Sequence, residues 1–357
     1  MTSPKVLLIT LPVNSYGGVS SYNNGVLSSD KIDIIQFRNN SGKYDNFILK
    51  AFFLLIDIFR LLIKLITKKI NIVHINPSLN LNSFLRDSIF VFISKLLNKR
   101  VLVQWHGWNP SNNNLTKGLF LKWLKLTFFK ADHTKFLYQE LINNYMLLGY
   151  KKKISLGKTF VSTTYDNSLL KVNHDAKNIR LLFLSTVSVN KGIYKAIRLF
   201  EILKKSHTGL ELKIAGKGPA FNEVSEFVKD KEGIEMLGFV SGNKKSEVFK
   251  NSDIYLFPSD YEGMPISVLE AMYFGLPILT TKVGAINDFF EENLMGFSSH
   301  RDAYIDDMQI HLDYLIKNNK TRKNIGIYNN NFITENFMLK NVLLEIENDY
   351  ISILNDK

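Results

Sequence analysis

The stretch Leu181-Leu182-Phe183-Leu184-Ser185-Thr186-Val187-Ser188-Val189-Asn190-Lys191-Gly192 runs from four apolar residues through a short polar loop into a helical pattern over 193–204. Strand, loop and amphipathic helix in that order are the opening of a parallel β-α-β unit. The rhythm continues downstream, with strands expected over 210–215, 235–239, 254–257 and 277–280. It also precedes the quoted stretch, with strands expected over 5–10, 32–37, 70–75, 101–105 and 134–137. A polar segment over 162–178 separates the two series. Strands alternating with helices give parallel sheets covered on both faces. The expected fold class is therefore α/β, with two Rossmann-like, doubly wound domains facing across a cleft that is the natural ligand site. The boundaries read as 1–165 for the first domain, 166–334 for the second and 335–357 for a C-terminal helix long enough to return toward the first.

Composition agrees with a folded two-domain chain. At 357 residues it exceeds what one core usually serves, and 45% hydrophobic with 22% charged residues is a globular balance. The absence of cysteine excludes disulfides, thiolate metal sites and cysteine nucleophiles. The apolar run at Val6-Leu7-Leu8-Ile9 reads as a buried strand and not as an export signal. Residues 47–66 are strongly apolar, but Lys50, Asp57, Arg60 and Lys64 interrupt them, so this segment reads as a helix and not as a membrane span. Of the net charge of +12, residues 1–178 carry 24 basic and 9 acidic side chains, net +15, and the remainder is net −3. A basic half points to nucleic acid, an anionic membrane surface or an anionic substrate.

The most informative window is Ser259-Asp260-Tyr261-Glu262-Gly263-Met264-Pro265-Ile266-Ser267-Val268-Leu269-Glu270-Ala271-Met272. Pro265 suits the first turn of a helix and Gly263 permits a close approach before it, which leaves Glu262 in the loop and Glu270 inside the helix. On one continuous helix the two glutamates would stand ~12 Å apart along the axis. Paired glycosidase carboxylates are closer, roughly 5 to 9.5 Å. The wider spacing suits an extended ligand held at each end, with an anionic middle against helix-terminal N–H groups. A nucleotide sugar has this layout, with ribose hydroxyls, a diphosphate and hexose hydroxyls in a row.

Two glutamates separated by seven residues, followed by Ala271-Met272 and Gly275-Leu276-Pro277, resemble glycosyltransferase family 4, whose members have the GT-B fold. The resemblance covers nearly the whole chain and is densest over 181–297. It implies that Glu270 binds the donor ribose, and that Glu262 lies against the donor hexose. Gly263, Met264, Pro265, Ile266 and Ser267 would then border the donor with their available backbone N–H groups. Lys191 would bind the diphosphate where Lys191-Gly192 opens a helix. The family's usual arginine is absent, and Thr186 stands near its place. Gly17-Gly18 resembles the family's glycine loop, Gly216 a turn close to the donor, and Phe239-Val240 the backbone facing the nucleobase. His106, at the end of a strand, is expected to face the reacting sugar from the acceptor side, whereas His74 reads as a core residue.

The resemblance also implies transfer with retention of anomeric configuration, and a nucleotide-sugar donor. The sequence has no Asp-x-Asp and no His-Glu-x-x-His, so neither metal nor other cofactor is expected. The acceptor would be a glycan or lipid-linked sugar of bacterial cell-envelope polysaccharide synthesis. Residues 116–130 read as a basic amphipathic helix, which suggests peripheral contact with the anionic inner face of the cytoplasmic membrane. No nucleic-acid-binding module accompanies the charge. Two other readings are a nucleotide-sugar epimerase or hydrolase of the same fold, and a catalytically silent scaffold of a polysaccharide assembly.

Overall fold

The computed structural model describes residues 4–11, 18–40, 46–78, 80–107, 116–162 and 178–355. The chain divides into two units, Met1–Thr159 with Leu339–Lys357, and Phe160–Met338. Residues 335–338, read from the sequence as the start of a returning helix, thus fall in the second unit.

In the first unit the order is β1 (Lys5–Thr10), α1 (Gly18–Leu27), β2 (Asp33–Arg38), α2 (Phe47–Thr67), β3 (Ile72–Ile75), α3 (Leu81–Leu96), β4 (Arg100–Trp105), α4 (Gly118–Leu126), β5 (His133–Phe136), α5 (Gln139–Leu147) and β6 (Lys153–Leu156). All six strands are parallel, in the order β2-β1-β3-β4-β5-β6. The second unit contains β7 (Ile179–Leu184), α6 (Ile193–Lys204), β8 (Leu210–Ala215), α7 (Phe221–Val228), β9 (Ile234–Gly238), α8 (Gly242–Lys250), β10 (Ile254–Phe257), α9 (Ile266–Tyr273), β11 (Ile278–Thr281), α10 (Ile286–Phe289), β12 (Gly296–Ser299), α11 (Tyr304–Lys317) and α12 (Asn319–Asn336). Its sheet is also parallel, ordered β12-β11-β10-β7-β8-β9. The last helix, α13 (Leu339–Asn355), belongs to the first unit.

Alternation along each strand separates the two layers of core. In β7, Leu181 and Phe183 join one buried cluster with Ile197, Leu199 and Leu212, while Leu182 joins the other with Tyr255, Leu269 and Met272. A period of two places successive side chains on opposite faces, so a strand covered by helices on both sides must be apolar throughout.

Two strands were not expected from the sequence. β6 is Lys153-Ile154-Ser155-Leu156 and β12 is Gly296-Phe297-Ser298-Ser299, and neither contains a run of apolar residues, whereas the outermost strands β2 and β9 do. The helical pattern over 116–130 also resolves differently. It is a nine-residue α4 followed by a 3-10 turn, Phe128–Lys130, with Leu124 and Phe128 buried but Leu119 turned to solvent. Pro265 is the cap that precedes α9 and not a residue of its first turn. In α2, the buried Asp57 accepts hydrogen bonds from the Asn40 backbone N–H at 2.6 Å and from Arg60 at 2.8 Å, which satisfies a charge in an otherwise apolar helix. No helix among the described residues is long and apolar enough to cross a membrane.

Candidate active site

A parallel sheet whose successive connections leave a central pair of strands in opposite directions opens a crevice at the carboxyl ends of that pair. In the second unit the pair is β7 and β10: α6 leads from β7 to β8 on one side, and α9 from β10 to β11 on the other. The loop after β7 carries Thr186 and Lys191, and the loop after β10 carries Glu262. Sequence neighbours of both motifs therefore meet because of strand order.

The meeting is specified by glycine. Gly192 has φ 77°, and a Cβ there would lie 2.1 Å from the Pro258 carbonyl oxygen, so only glycine lets the two loops touch. The loops are then bonded together, with the Asp260 backbone N–H donating to the Asn190 carbonyl at 2.8 Å and Asn190 Nδ2 to Tyr261 Oη at 3.3 Å. Across this seam Lys191 Nζ donates to Glu262 Oε1 at 2.5 Å, and Lys195 Nζ to Asp260 Oδ1 at 2.7 Å. A third wall comes from Gly284, whose hypothetical Cβ would stand 2.4 Å from the carbonyl oxygens of both Glu262 and Gly263. The Ala285 backbone N–H closes it by donating to the Gly263 carbonyl at 2.8 Å.

Glu270 lies on the second turn of α9 and is buried. Lys245 Nζ, from α8, reaches both its carboxylate oxygens, at 2.6 and 2.5 Å. The helix beneath is fixed by Tyr255, which donates to the Leu184 carbonyl at 2.7 Å and also bonds the Ser267 side chain. Burial pushes the Tyr255 phenol far above its ordinary range, so it remains a neutral donor. At the far end of α9, Gly275 with φ 76° ends the helix: its N–H donates to the Met272 carbonyl at 2.9 Å and that of Leu276 to Ala271 at 3.0 Å.

The remaining second-unit residues singled out in the sequence line the same sheet edge. Thr186 is exposed. Gly216, with φ 137°, packs so closely on the Ser185 carbonyl that a Cβ would come within 1.9 Å of it, and its N–H donates to the Gly238 carbonyl at 2.7 Å. Phe239 is largely exposed, whereas Val240 buries its side chain in the core and offers only backbone. The turn facing Thr186 carries Lys217, whose carbonyl accepts from the Val187 N–H at 3.1 Å.

The first unit has its own crevice, between β1 and β3. His106 follows β4, and its Nε2 lies 3.1 Å from Asn76 Oδ1, just past β3. Asn76 donates through Nδ2 to Asn23 Oδ1 at 2.8 Å, so its Oδ1 is an acceptor and the His106 proton sits on Nε2. This leaves the His106 Nδ1 lone pair as the acceptor. Tyr22 packs on the imidazole with ring centroids 4.4 Å apart. Burial pushes the pKa of His106 down to about 3, so the ring is neutral. Gly18 opens α1, one turn before Tyr22, and Gly17 lies outside the described residues. His74 is buried, with Nδ1 2.6 Å from Tyr350 Oη of α13, and is a core residue.

The structure thus brings Lys191, Glu262 and Gly263 to one seam, with Glu270, Thr186 and Gly216 on adjoining loops and helix of the same unit; His106 and Gly18 belong to the other unit. Sequence reasoning missed Lys245, Gly284 and Asn76. Asn76 carries the signal that identified His106, a polar residue at the carboxyl end of a strand. Lys245 sits in the charged segment Gly242–Lys250 with nothing to mark it. Among the described residues no cluster of acidic or histidine side chains has the arrangement of a metal site.

Residues 166–332 match the family described as glycosyl transferases group 1. An uncharacterized glycosyltransferase of Haemophilus influenzae is 30% identical over 162 residues, 44% of this chain and 46% of its own length. The amylovoran biosynthesis glycosyltransferase AmsK of Erwinia amylovora is 27% identical over 128 residues, 33% of this chain and 31% of its own length. The chain therefore matches less than half of either curated relative. Among solved structures, Anabaena Alr3699/HepE in complex with UDP and glucose aligns over 98% of this chain and 100% of its own, with a TM-score of 0.71 and 12% identity. At that identity the likeness concerns the fold, which is GT-B.

Proposed function

We propose, from the match of residues 166–332 to the family described as glycosyl transferases group 1, that the protein transfers a hexose or related sugar from a nucleotide-sugar donor to a glycan or lipid-linked acceptor, with retention of configuration and without a metal. The observation that carries the reading is the seam at the β7/β10 crevice, where Lys191 and Glu262 meet 2.5 Å apart beside the openings of α6 and α9. A diphosphate at this place faces an ammonium and the positive ends of two helices. When it arrives, Lys191 exchanges Glu262 for phosphate oxygens, and the released carboxylate accepts from hexose hydroxyls. Glu270, already ionically held by Lys245, accepts from the ribose hydroxyls.

In the transfer, the acceptor oxygen forms the new bond to the anomeric carbon as the bond from that carbon to the diphosphate oxygen breaks. The acceptor's proton passes to the departing diphosphate. Charge accumulates on that leaving group, so Lys191 and the helix openings stabilise the transition state more than the ground state. Neutral His106 offers a lone pair to a sugar hydroxyl and carries no charge of its own. Lys217, on the turn facing Thr186, supplies positive charge on the side where the family's arginine is absent. The likeness to an amylovoran biosynthesis glycosyltransferase supports a place in polysaccharide synthesis, and the proposed setting is the cell envelope, at the inner face of the cytoplasmic membrane.

Incubation with a panel of nucleotide sugars, read by thermal shift, tests the donor half of the proposal. A true donor at a hundredfold excess over its dissociation constant stabilises by ~2.7 kcal/mol. If no nucleotide sugar shifts the protein, the reading fails. Donor consumption in the absence of any acceptor would replace transfer with hydrolysis or epimerisation. The anomeric configuration of the isolated product decides between retention and inversion.

A further inference from the structure

Helix α2 is 21 residues long, and only one side of it is covered. Asp57, Leu61 and Leu65 face the sheet and are buried. On the opposite side Ile48, Phe52, Leu55, Phe59, Ile63 and Ile66 are all exposed, with Ile48 at 75% and Ile66 at 69%. Their spacings of three and four residues put them on a single stripe, ~27 Å long at the helical rise. Scattered exposed leucines are ordinary on a protein surface, but six large side chains in one row are not.

The neighbouring helices show what covers this stripe. α2, α3 and α4 each connect a strand to the next one on the same side, so right-handed crossovers lay all three on one face of the sheet. Their contacts agree: α2 packs on α3, and Trp123 of α4 donates to Ser88 of α3 at 2.7 Å. The only acidic residues in the three helices are Asp57 and Asp87, both buried and both paired with arginine, Arg60 and Arg86. Among these three helices the exposed large apolar and charged residues include no acid: among them are the α2 stripe, Leu119 of α4, and lysines such as Lys68, Lys117, Lys122 and Lys125, and the exposed acid on this side of the sheet, Glu140, stands on α5. A protein partner, or a second copy of this chain meeting stripe to stripe, would normally be recognised by charges of both signs along the flanks. A patch of α2, α3 and α4 without exposed acid fits a surface that is apolar within and anionic at its boundary.

We propose that this face of the first unit docks on an anionic lipid bilayer, with α2 lying in the plane of the interface and its stripe sunk among the acyl chains. An interfacial helix of this kind buries its apolar side while flanking lysines hold the headgroups. The inference rests on the glycosyltransferase reading only for its purpose, which would be to hold the enzyme beside a lipid-linked acceptor. The stripe itself is a property of the surface.

The test is flotation of the full chain with vesicles of phosphatidylcholine alone or with phosphatidylglycerol. The expected result is preferential binding to the anionic vesicles, weakened by salt, and at least a tenfold loss of partitioning in F52S/F59S. Both residues are exposed, so the melting temperature of that variant should match the parent. Unchanged vesicle binding in F52S/F59S overturns the proposal, and so does a dimer that this variant converts to monomer while lipid binding stays. Nucleotide-sugar thermal shifts, measured on the same variant, separate the two readings. A missing donor response with a stripe-dependent vesicle response removes the enzymatic reading and leaves the docking surface standing.

Discussion

The two glutamates of the β10–α9 segment stand in different surroundings, and the function proposed for them differs accordingly. Glu270 is buried and held by Lys245, which makes it a pre-positioned acceptor. Its replacement by alanine should chiefly raise the donor dissociation constant, by roughly ten- to a hundredfold, the equivalent of a lost charge-assisted hydrogen bond of ~1.5–3 kcal/mol. Lys245→Ala should shift donor affinity in the same direction, since it leaves the Glu270 carboxylate buried without its ammonium; isothermal titration with the donor checks both. Glu262, by contrast, is paired with Lys191, and in the proposed function the diphosphate displaces it. Glu262→Ala should therefore lower kcat more than it raises KM, and steady-state kinetics with Lys191→Ala alongside would show non-additive losses, as expected of groups that act as a unit. The glutamates were legible from their spacing and the residues that follow them. Lys245 was not, because a lysine in a polar helix carries no local mark of the carboxylate it will meet twenty-five positions away.

Ten of the twelve strands were legible as apolar runs, and the two that were not, β6 and β12, share the outermost position with β2 and β9, which were legible. The distinction is physical: Lys153–Leu156 is half-exposed and alternates polar with apolar residues, and Gly296–Ser299 has Phe297 as its one large apolar side chain, so neither forms an apolar run. Turns were harder still, since a glycine's necessity depends on what approaches it. Gly284 has no motif, yet its φ of 52° and the carbonyls 2.4 Å from its absent Cβ make it a support of the glutamate loop. Gly284→Ala should lower the melting temperature by several degrees and abolish the donor-induced shift, because the loop bearing Glu262 must move to admit the methyl group. Retention of both under differential scanning fluorimetry would show that the loop tolerates displacement.

For the molecule as a whole, acid should destabilise the first unit through its histidines. The pKa values of His74 and His106 are both pushed down to about 3 by burial, against an unfolded value near 6.5. Folded and unfolded chains bind these protons equally above about pH 6.5, so the histidines contribute no pH dependence there. Between roughly pH 6.5 and 3 the unfolded chain takes up protons that the folded one refuses, and stability falls as pH falls, with a slope approaching ~1.4 kcal/mol per pH unit for each group. Asp132, whose pKa the Lys95 and Arg100 bonds lower, contributes only at the acid end, as pH falls through the ordinary carboxylate range. Urea titrations at pH 7.5, 6 and 5 should show the decline, and His74→Gln should flatten it while reducing stability at pH 7.5, since His74 also bonds Tyr350. The same neutrality means that His106 puts no inflection near pH 6.5 into the rate profile.

Helix α13 ties into the first sheet through Tyr350 on His74 and Asp349 on Lys135, and into the turn after α1 through Glu347 on Ser29. Deleting residues 339–357 should therefore unfold the first unit and spare the second, a difference that limited proteolysis would display as a protected fragment spanning the second unit, Phe160–Met338. There is a corollary for the order of events during synthesis. The second unit is one uninterrupted run of chain and has everything it needs once Met338 has left the ribosome. The first unit, although started earlier, lacks a wall of its core until Leu339–Asn355 has been made. The domain translated first is thus completed last, and its unfinished sheet is the nascent surface most in need of a chaperone.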